Sequence, residues 1–215
     1  MLGIVLALVL YLAHRRDRPT GLLALFVLVY CSESFIYVLA GTGVLSANPF
    51  LWWLPVYGYL LLLPLLYLYT RTITRQLDWA KDRWHLLAGV LEFLVFTGFF
   101  FYSLLKPTSL LNDPSFRGQV LTYYAYTSNL WLVVYSCLIL REVGQHFRRI
   151  GNYLSDIEAQ RLRWIRFIVW SLLVYVLILH TIQLLKSPLG YQLINFMSAA
   201  LNVSVLLYTA ISGIK

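Results

Sequence analysis

The chain has 215 residues, of which 60% are hydrophobic and 12% are charged, and its mean hydropathy is +0.72. Soluble domains carry about 25% charged residues, so this composition excludes an ordinary soluble protein and indicates a multi-pass membrane protein. The net charge of +8 does not indicate nucleic-acid binding, because the basic residues lie in short segments beside apolar runs. Cys31 and Cys137 lie inside apolar runs, so the sequence predicts neither a disulfide framework nor a cysteine metal site.

Candidate membrane spans define the predicted fold. A helix needs roughly 20 apolar residues to cross the hydrocarbon core of a bilayer. The chain contains seven candidates, which predict an all-α fold: a single seven-transmembrane-helix bundle over residues 1–215. The first span is short, and we expect either preceding residues or neighbouring protein and a thinned bilayer to complete it. The spans are expected at about 2–13, 21–40, 50–69, 84–105, 119–140, 164–185 and 189–214.

The distribution of basic residues predicts the orientation. Of the 17 lysines and arginines, only Lys106, Arg117 and Lys186 fall in loops on one side of the predicted bundle. The positive-inside bias therefore places the N-terminus outside and the C-terminus in the cytoplasm. Tryptophans at the predicted helix ends, such as Trp52 and Trp84, agree with this orientation. This orientation places the loops that carry most of the basic residues in the cytoplasm.

The longest polar segment, residues 141–166, lies between the predicted spans five and six. Its apolar residues Phe147, Ile150, Leu154 and Ile157 recur at helical spacing, which predicts a cytoplasmic amphipathic helix on the membrane surface. The alternative is a solvated basic loop. Residues predicted to couple the bundle to a cytoplasmic partner are Arg148, Arg149, Leu154, Asp156, Ile157, Glu158 and Trp164.

Ionisable residues inside predicted spans are candidates for ligand binding, because burying them in a membrane is costly. Three such residues occur, Glu33, Glu92 and His180. We expect a pocket that opens outward between spans two, five, six and seven, with tyrosine rings against an amphipathic or small-molecule ligand. Polar residues of spans five and seven complete the candidate set: Tyr123, Tyr124, Asn129, Asn195, Ser198 and Asn202. The alternative is that these polar groups form hydrogen bonds between helices.

Several enzyme and cofactor classes lack their residues. No predicted span carries a mid-membrane lysine for a retinal Schiff base, because Lys106 and Lys186 lie in loops. The zinc-hydrolase, nucleophile-elbow and phosphate-loop motifs are also absent from the sequence. The sequence therefore predicts no catalytic residues, no metal and no cofactor.

Four short segments together resemble the N-terminal membrane domain of bacterial AraC-type helix-turn-helix regulators, notably those of Bacteroidetes. They are residues 63–71, with a Pro-Leu-Leu-Tyr helix end, 84–87, with His85 opening a helix, and 152–158 followed by 162–165. The sequence departs from the family at Ala88, where proline is usual, and the family's DNA-binding domain is missing. The resemblance implies a membrane-embedded input module that signals to a cytoplasmic partner or a detached output domain.

Three function classes follow from these observations. The leading hypothesis is a non-catalytic sensory or scaffold domain that acts through a cytoplasmic or membrane protein partner and is free to form homo-oligomers. The alternative is a small-solute transporter with a three-plus-one-plus-three helix arrangement, similar to sugar-efflux and vitamin-uptake carriers. An intramembrane enzyme or a subunit of a larger membrane complex is the third class.

Overall fold

The structure is a computed structural model that describes residues 18–75, 77–150 and 156–184, together with Leu8. Every regular element within these ranges is helical, which confirms the all-α prediction for that part of the chain. Three short 3₁₀ helices cover Pro49–Trp53, Arg83–Leu86 and Leu110–Asn112. The α-helices are α1 (Arg18–Gly41), α2 (Val44–Ala47), α3 (Tyr59–Thr74), α4 (Trp79–Asp82), α5 (Leu87–Leu105), α6 (Pro114–Ile150) and α7 (Asp156–Leu184).

The helical stretch Trp79–Leu105 has the length and composition of a membrane span. It comprises 27 residues with a hydropathy of 1.8, and it is the one such stretch found among the described residues. Only 22% of its most apolar window is buried inside the protein, so most of its surface faces outward. A shorter apolar helix covers Pro19–Ser32 within α1. The predicted seventh span, and the first span apart from Leu8, lie outside the described residues.

The predicted third span is not one continuous helix. The chain forms the 3₁₀ helix Pro49–Trp53, leaves helical geometry over residues 54–58, and then enters α3. Pro55 has no backbone N–H to donate, and Gly58 adopts a left-handed conformation with φ of 62°. These two residues explain why the prediction of a single helix over 50–69 was wrong.

The predicted surface helix between spans five and six is also not a separate element. Residues 143–150 are the end of α6, which begins at Pro114, and residues 156–160 are the start of α7. Apolar periodicity cannot distinguish a surface helix from the continuation of a buried one. Here Val143 is fully buried and Phe147 packs against the core, so this end of α6 belongs to the bundle.

Helix α3 lies at the centre of the described structure. Every residue from Leu62 to Thr70 is buried, and α1, α5, α6 and α7 all pack against this helix. Gly89 permits the approach of α5, because a Cβ atom there would lie 2.6 Å from Leu61 Cβ and 2.9 Å from Leu61 Cα. A helix enclosed on all sides is well placed to connect contacts at its two ends.

The first turn of α6 is capped by Asp113. The Ser115 hydroxyl and the Phe116 N–H both donate to its carboxylate, the latter over 2.9 Å, and Pro114 begins the helix. These hydrogen bonds, the one from Ser115 above all, hold the pKa of Asp113 below its ordinary value.

Candidate functional site

The first turn of α3 starts inside the protein and lacks a cap of its own. Gly58 occupies the N-cap position and has no side chain with which to accept from the first N–H groups. Uncapped N–H groups at a helix start carry partial positive charge and attract an anion. The acceptor comes from a different helix.

Glu92 of α5 supplies that acceptor. The Tyr59 N–H donates to Oε1 over 3.1 Å and the Leu60 N–H donates to Oε2 over 3.0 Å. The Tyr124 hydroxyl of α6 also donates to Oε1. Glu92 is buried, and no cation is paired with it within residues 18–75, 77–150 and 156–184. We name this group of three donors and one carboxylate the Glu92 site.

Aromatic packing fixes the geometry of the Glu92 site. The Phe96 ring lies 4.7 Å from the Tyr57 ring and 5.0 Å from the Tyr124 ring, measured between centroids. Trp131 of α6 donates from its indole N–H to the Leu60 carbonyl over 3.1 Å. Helices α5 and α6 therefore both hold the first turn of α3 in place.

A cavity of about 210 Å³ borders the Glu92 site. Its walls come from α1, through Leu28, Val29 and Ser32, from residues 55–58 before α3, and from the face of α5 that carries Glu92. In the predicted numbering these elements belong to spans two, three and four. The predicted pocket between spans two, five, six and seven stays a prediction, because the seventh span lies outside the described residues. The cavity found here adjoins the helix break before α3 instead.

The last turn of α3 is held by ion pairs. Arg71 pairs with Asp82 of α4, and Asp82 is almost completely buried. Arg75 pairs with Glu142 of α6 over 2.9 Å. The Thr74 carbonyl accepts a hydrogen bond of 3.1 Å from the His146 ring. We name these six residues the last-turn cluster.

A further polar contact lies beside the middle of α3, between the Glu92 site and the last-turn cluster. His85 Nδ1 and the Tyr135 hydroxyl of α6 are hydrogen-bonded at 2.8 Å. The Tyr67 ring of α3 contacts both edge-on, at 4.9 Å from the His85 ring and 5.8 Å from the Tyr135 ring. Helix α6 thus makes polar contacts beside α3 from the first turn of α3 to its last turn.

The structure brings together two of the predicted ligand-binding residues, Glu92 and Tyr124. Tyr123 is 72% exposed, Asn129 is half-buried, and neither residue of α6 lines the cavity. For Glu33 on α1 and His180 on α7, the structure describes the backbone only. Asn195, Ser198 and Asn202 lie outside the described residues.

Of the residues predicted to couple the bundle to a partner, some are exposed, one is buried, and the others are described only in part or not at all. Arg148 and Arg149 are exposed at the end of α6. Trp164 is fully buried, and its ring lies 5.8 Å from the Tyr69 ring, so it contacts α3 rather than a partner surface. Asp156, Ile157 and Glu158 start α7 with only their backbone described, and Leu154 lies outside the described residues.

Apart from Tyr124, sequence reasoning missed the residues that surround Glu92. Pro55 and Gly58, two helix breakers inside a predicted span, were the available signal for a helix start within the bundle. The ion pair between Arg71 and Asp82 had no comparable signal, because both residues resemble ordinary charges of a short loop.

Within the described ranges, no group of three or more His, Cys, Asp or Glu residues is placed to hold a metal ion. Comparison with known proteins gives no family: no protein-family model, no curated protein and no solved structure matches the chain.

Proposed function

We propose that this chain is a non-catalytic signal-input domain of the bacterial cytoplasmic membrane, with seven spans, an external N-terminus and a cytoplasmic C-terminus. In this arrangement the Glu92 site lies within the bilayer and the last-turn cluster lies at its cytoplasmic surface. The composition, the apolar stretch Trp79–Leu105 and the bias of basic residues support the membrane location.

One observation carries the signalling role: a single buried helix, α3, joins the cavity to the last-turn cluster. A ligand in the cavity contacts residues 55–58 immediately before the first turn of α3. Because residues 62–70 are enclosed by other helices, a displacement of that first turn is transmitted along α3 rather than lost to solvent. The ligand must bind the two positions of α3 with different affinities for a signal to result.

The receiver of the signal is a cytoplasmic or membrane protein that contacts the ends of α3 and α6. Exposed Arg148 and Arg149 and the half-exposed Arg75 provide a basic surface there. The likeness to the membrane domain of AraC-type regulators suggests a partner that carries a separate output domain.

Hydrogen exchange of the full chain in lipid nanodiscs tests the coupling. Glu92→Ala is expected to raise exchange at residues 59–62 and also at residues 142–150, which lie at the other end of α3. The matched control is Ser103→Ala. Ser103 is a buried residue of α5 whose hydroxyl donates to Asn112, so this variant should change exchange near residue 112. Altered exchange confined to residues 59–62 in Glu92→Ala would contradict the proposed coupling.

A small-solute transporter is the second candidate, and the helix break before α3 favours it. Many secondary transporters bind substrate where an interrupted helix starts within the membrane. In this chain the N–H groups at the start of α3 already donate hydrogen bonds to Glu92. A substrate would therefore have to displace the carboxylate. Solute flux in proteoliposomes, lost in Glu92→Gln, would support transport over signalling.

A further inference from the structure

The polar side chains that border the cavity have their hydrogen bonds inside the protein. The Ser32 hydroxyl lies 2.7 Å from the Val29 carbonyl and 3.0 Å from the Val56 carbonyl. The Tyr57 hydroxyl donates to the Trp52 carbonyl over 2.8 Å. The Glu92 carboxylate accepts from the three donors of the Glu92 site. The hydroxyl donors among these side chains are therefore already used inside the protein, and none of them is left for a polar occupant.

The remaining wall is apolar. It is formed mainly by Leu28, Val29, Leu61, Phe93 and Phe96. An apolar cavity of about 150 Å³ stays dry and binds a molecule of the size of benzene. At about 210 Å³, this cavity has room for one ring or a short stretch of hydrocarbon chain.

The rim of the cavity faces outward between α1 and α5. Leu28 on α1 is 45% exposed and Phe93 on α5 is 54% exposed. Phe93 belongs to the stretch Trp79–Leu105, most of which is not covered by protein. In the membrane arrangement proposed above, on which this step rests, both rim residues contact lipid chains.

We propose that the cavity binds an uncharged hydrocarbon segment, a ring or chain end of a membrane-dissolved compound, which enters sideways from the bilayer between Leu28 and Phe93. The segment lies against residues 55–58 and leaves the hydrogen bonds of Glu92 intact. Its presence supports the turn that precedes α3, and its departure leaves that turn without packing on one side. The signal is therefore the content of the membrane rather than a water-soluble molecule.

Photolabelling of the full chain in nanodiscs tests this assignment. The probe is phosphatidylcholine with a diazirine within one acyl chain, and the labelled residues are mapped by mass spectrometry after irradiation. We expect adducts on Phe96 and Val56, which lie inside the rim, to exceed those on equally apolar but freely exposed residues. Leu28→Trp is expected to reduce labelling of Phe96 several-fold by blocking the rim.

The matched control is Leu25→Trp, one turn earlier on α1 and 41% exposed, which should label as the wild type does. Phe93→Trp blocks the opposite side of the rim and replaces Leu28→Trp if that variant does not fold. Labelling that simply follows exposure and is equal in all variants would overturn the proposal. Stronger labelling of Phe96 by a water-soluble diazirine than by the lipid probe would also overturn it.

The same samples separate this proposal from the proposed function. Cavity labelling that disappears in Leu28→Trp, without any change in hydrogen exchange at residues 142–150, would support the ligand class and contradict signalling. Coupled exchange in Glu92→Ala together with unblocked, exposure-dependent labelling would support signalling and contradict the ligand class. A chain that does not incorporate into nanodiscs would contradict the membrane location itself.

Discussion

The two ends of α3 are held in different ways. At the first turn, one buried carboxylate accepts both backbone N–H bonds and the Tyr124 hydroxyl. At the last turn, two separate ion pairs and a histidine share the task, and Arg75, whose side chain is 48% exposed, is the most solvent-accessible of these groups. The N–H groups of the first turn therefore depend on a single residue, whereas the last turn has contacts that substitute for one another. A helix held in this way responds most strongly to changes beside Glu92.

Glu92→Ala provides the largest expected effect. It leaves the Tyr59 and Leu60 N–H groups without an acceptor in an apolar setting, which should lower the free energy of unfolding by about 3 kcal/mol. Thermal unfolding in detergent micelles measures the change. Glu92→Gln keeps an amide oxygen as acceptor and should lose clearly less. An unchanged unfolding temperature in Glu92→Ala would show that the carboxylate is not what holds the first turn.

Asp82→Ala should have an intermediate effect at the opposite end. The Arg71 side chain is only 14% exposed, so loss of its partner leaves a partly buried charge, at a cost of about 2 kcal/mol. Chemical unfolding of the same micelle preparation reports this cost. If Asp82→Ala proved more destabilising than Glu92→Ala, the contrast between the two ends would be reversed.

Arg75→Ala should have a small effect. Its side chain is 48% exposed, and pairs of this kind contribute about 0.5 kcal/mol and weaken with added salt. Lys81→Ala is the control, because Lys81 is 85% exposed and its contact with Asp78 is long, at 3.7 Å. A loss in Arg75→Ala that persists at high salt would indicate that Glu142 is more tightly bound than its exposure implies.

The smallest expected effect is on stability at acidic pH, and it comes from Asp113, which lies away from both ends of α3. Because hydrogen bonds lower the pKa of Asp113 from its ordinary 3.8, this residue stabilises the fold above that pH. The contribution is lost as the pH falls through the lowered pKa. Asp113→Asn should therefore flatten the dependence of the melting temperature on pH between about pH 5 and pH 3. An unchanged slope would indicate that the cap of α6 does not form in solution.

The helices themselves could be predicted from apolar runs, as α1 and α5 illustrate. The break before α3 was harder, because proline is tolerated in packed membrane helices and Pro64 does lie inside α3. Glu92 could be singled out as a buried acid, but its partners are backbone N–H groups of another helix. Such partners leave no pattern in a sequence. Trp164 was predicted to couple the bundle to a partner, but its ring is fully buried in the core.

The spacing of polar contacts along α6 limits how this helix can move within the bundle. Five of its polar contacts to neighbouring elements come from Tyr124, Trp131, Tyr135, Glu142 and His146, at intervals of seven, four, seven and four residues. This eleven-residue repeat, about 3.67 residues per turn, keeps all five side chains on one edge of an unbroken rod. Turning the rod about its axis would strain all five contacts together, whereas bending it would release them one at a time. The helix is thus built to resist rotation, and bending is the motion left to it.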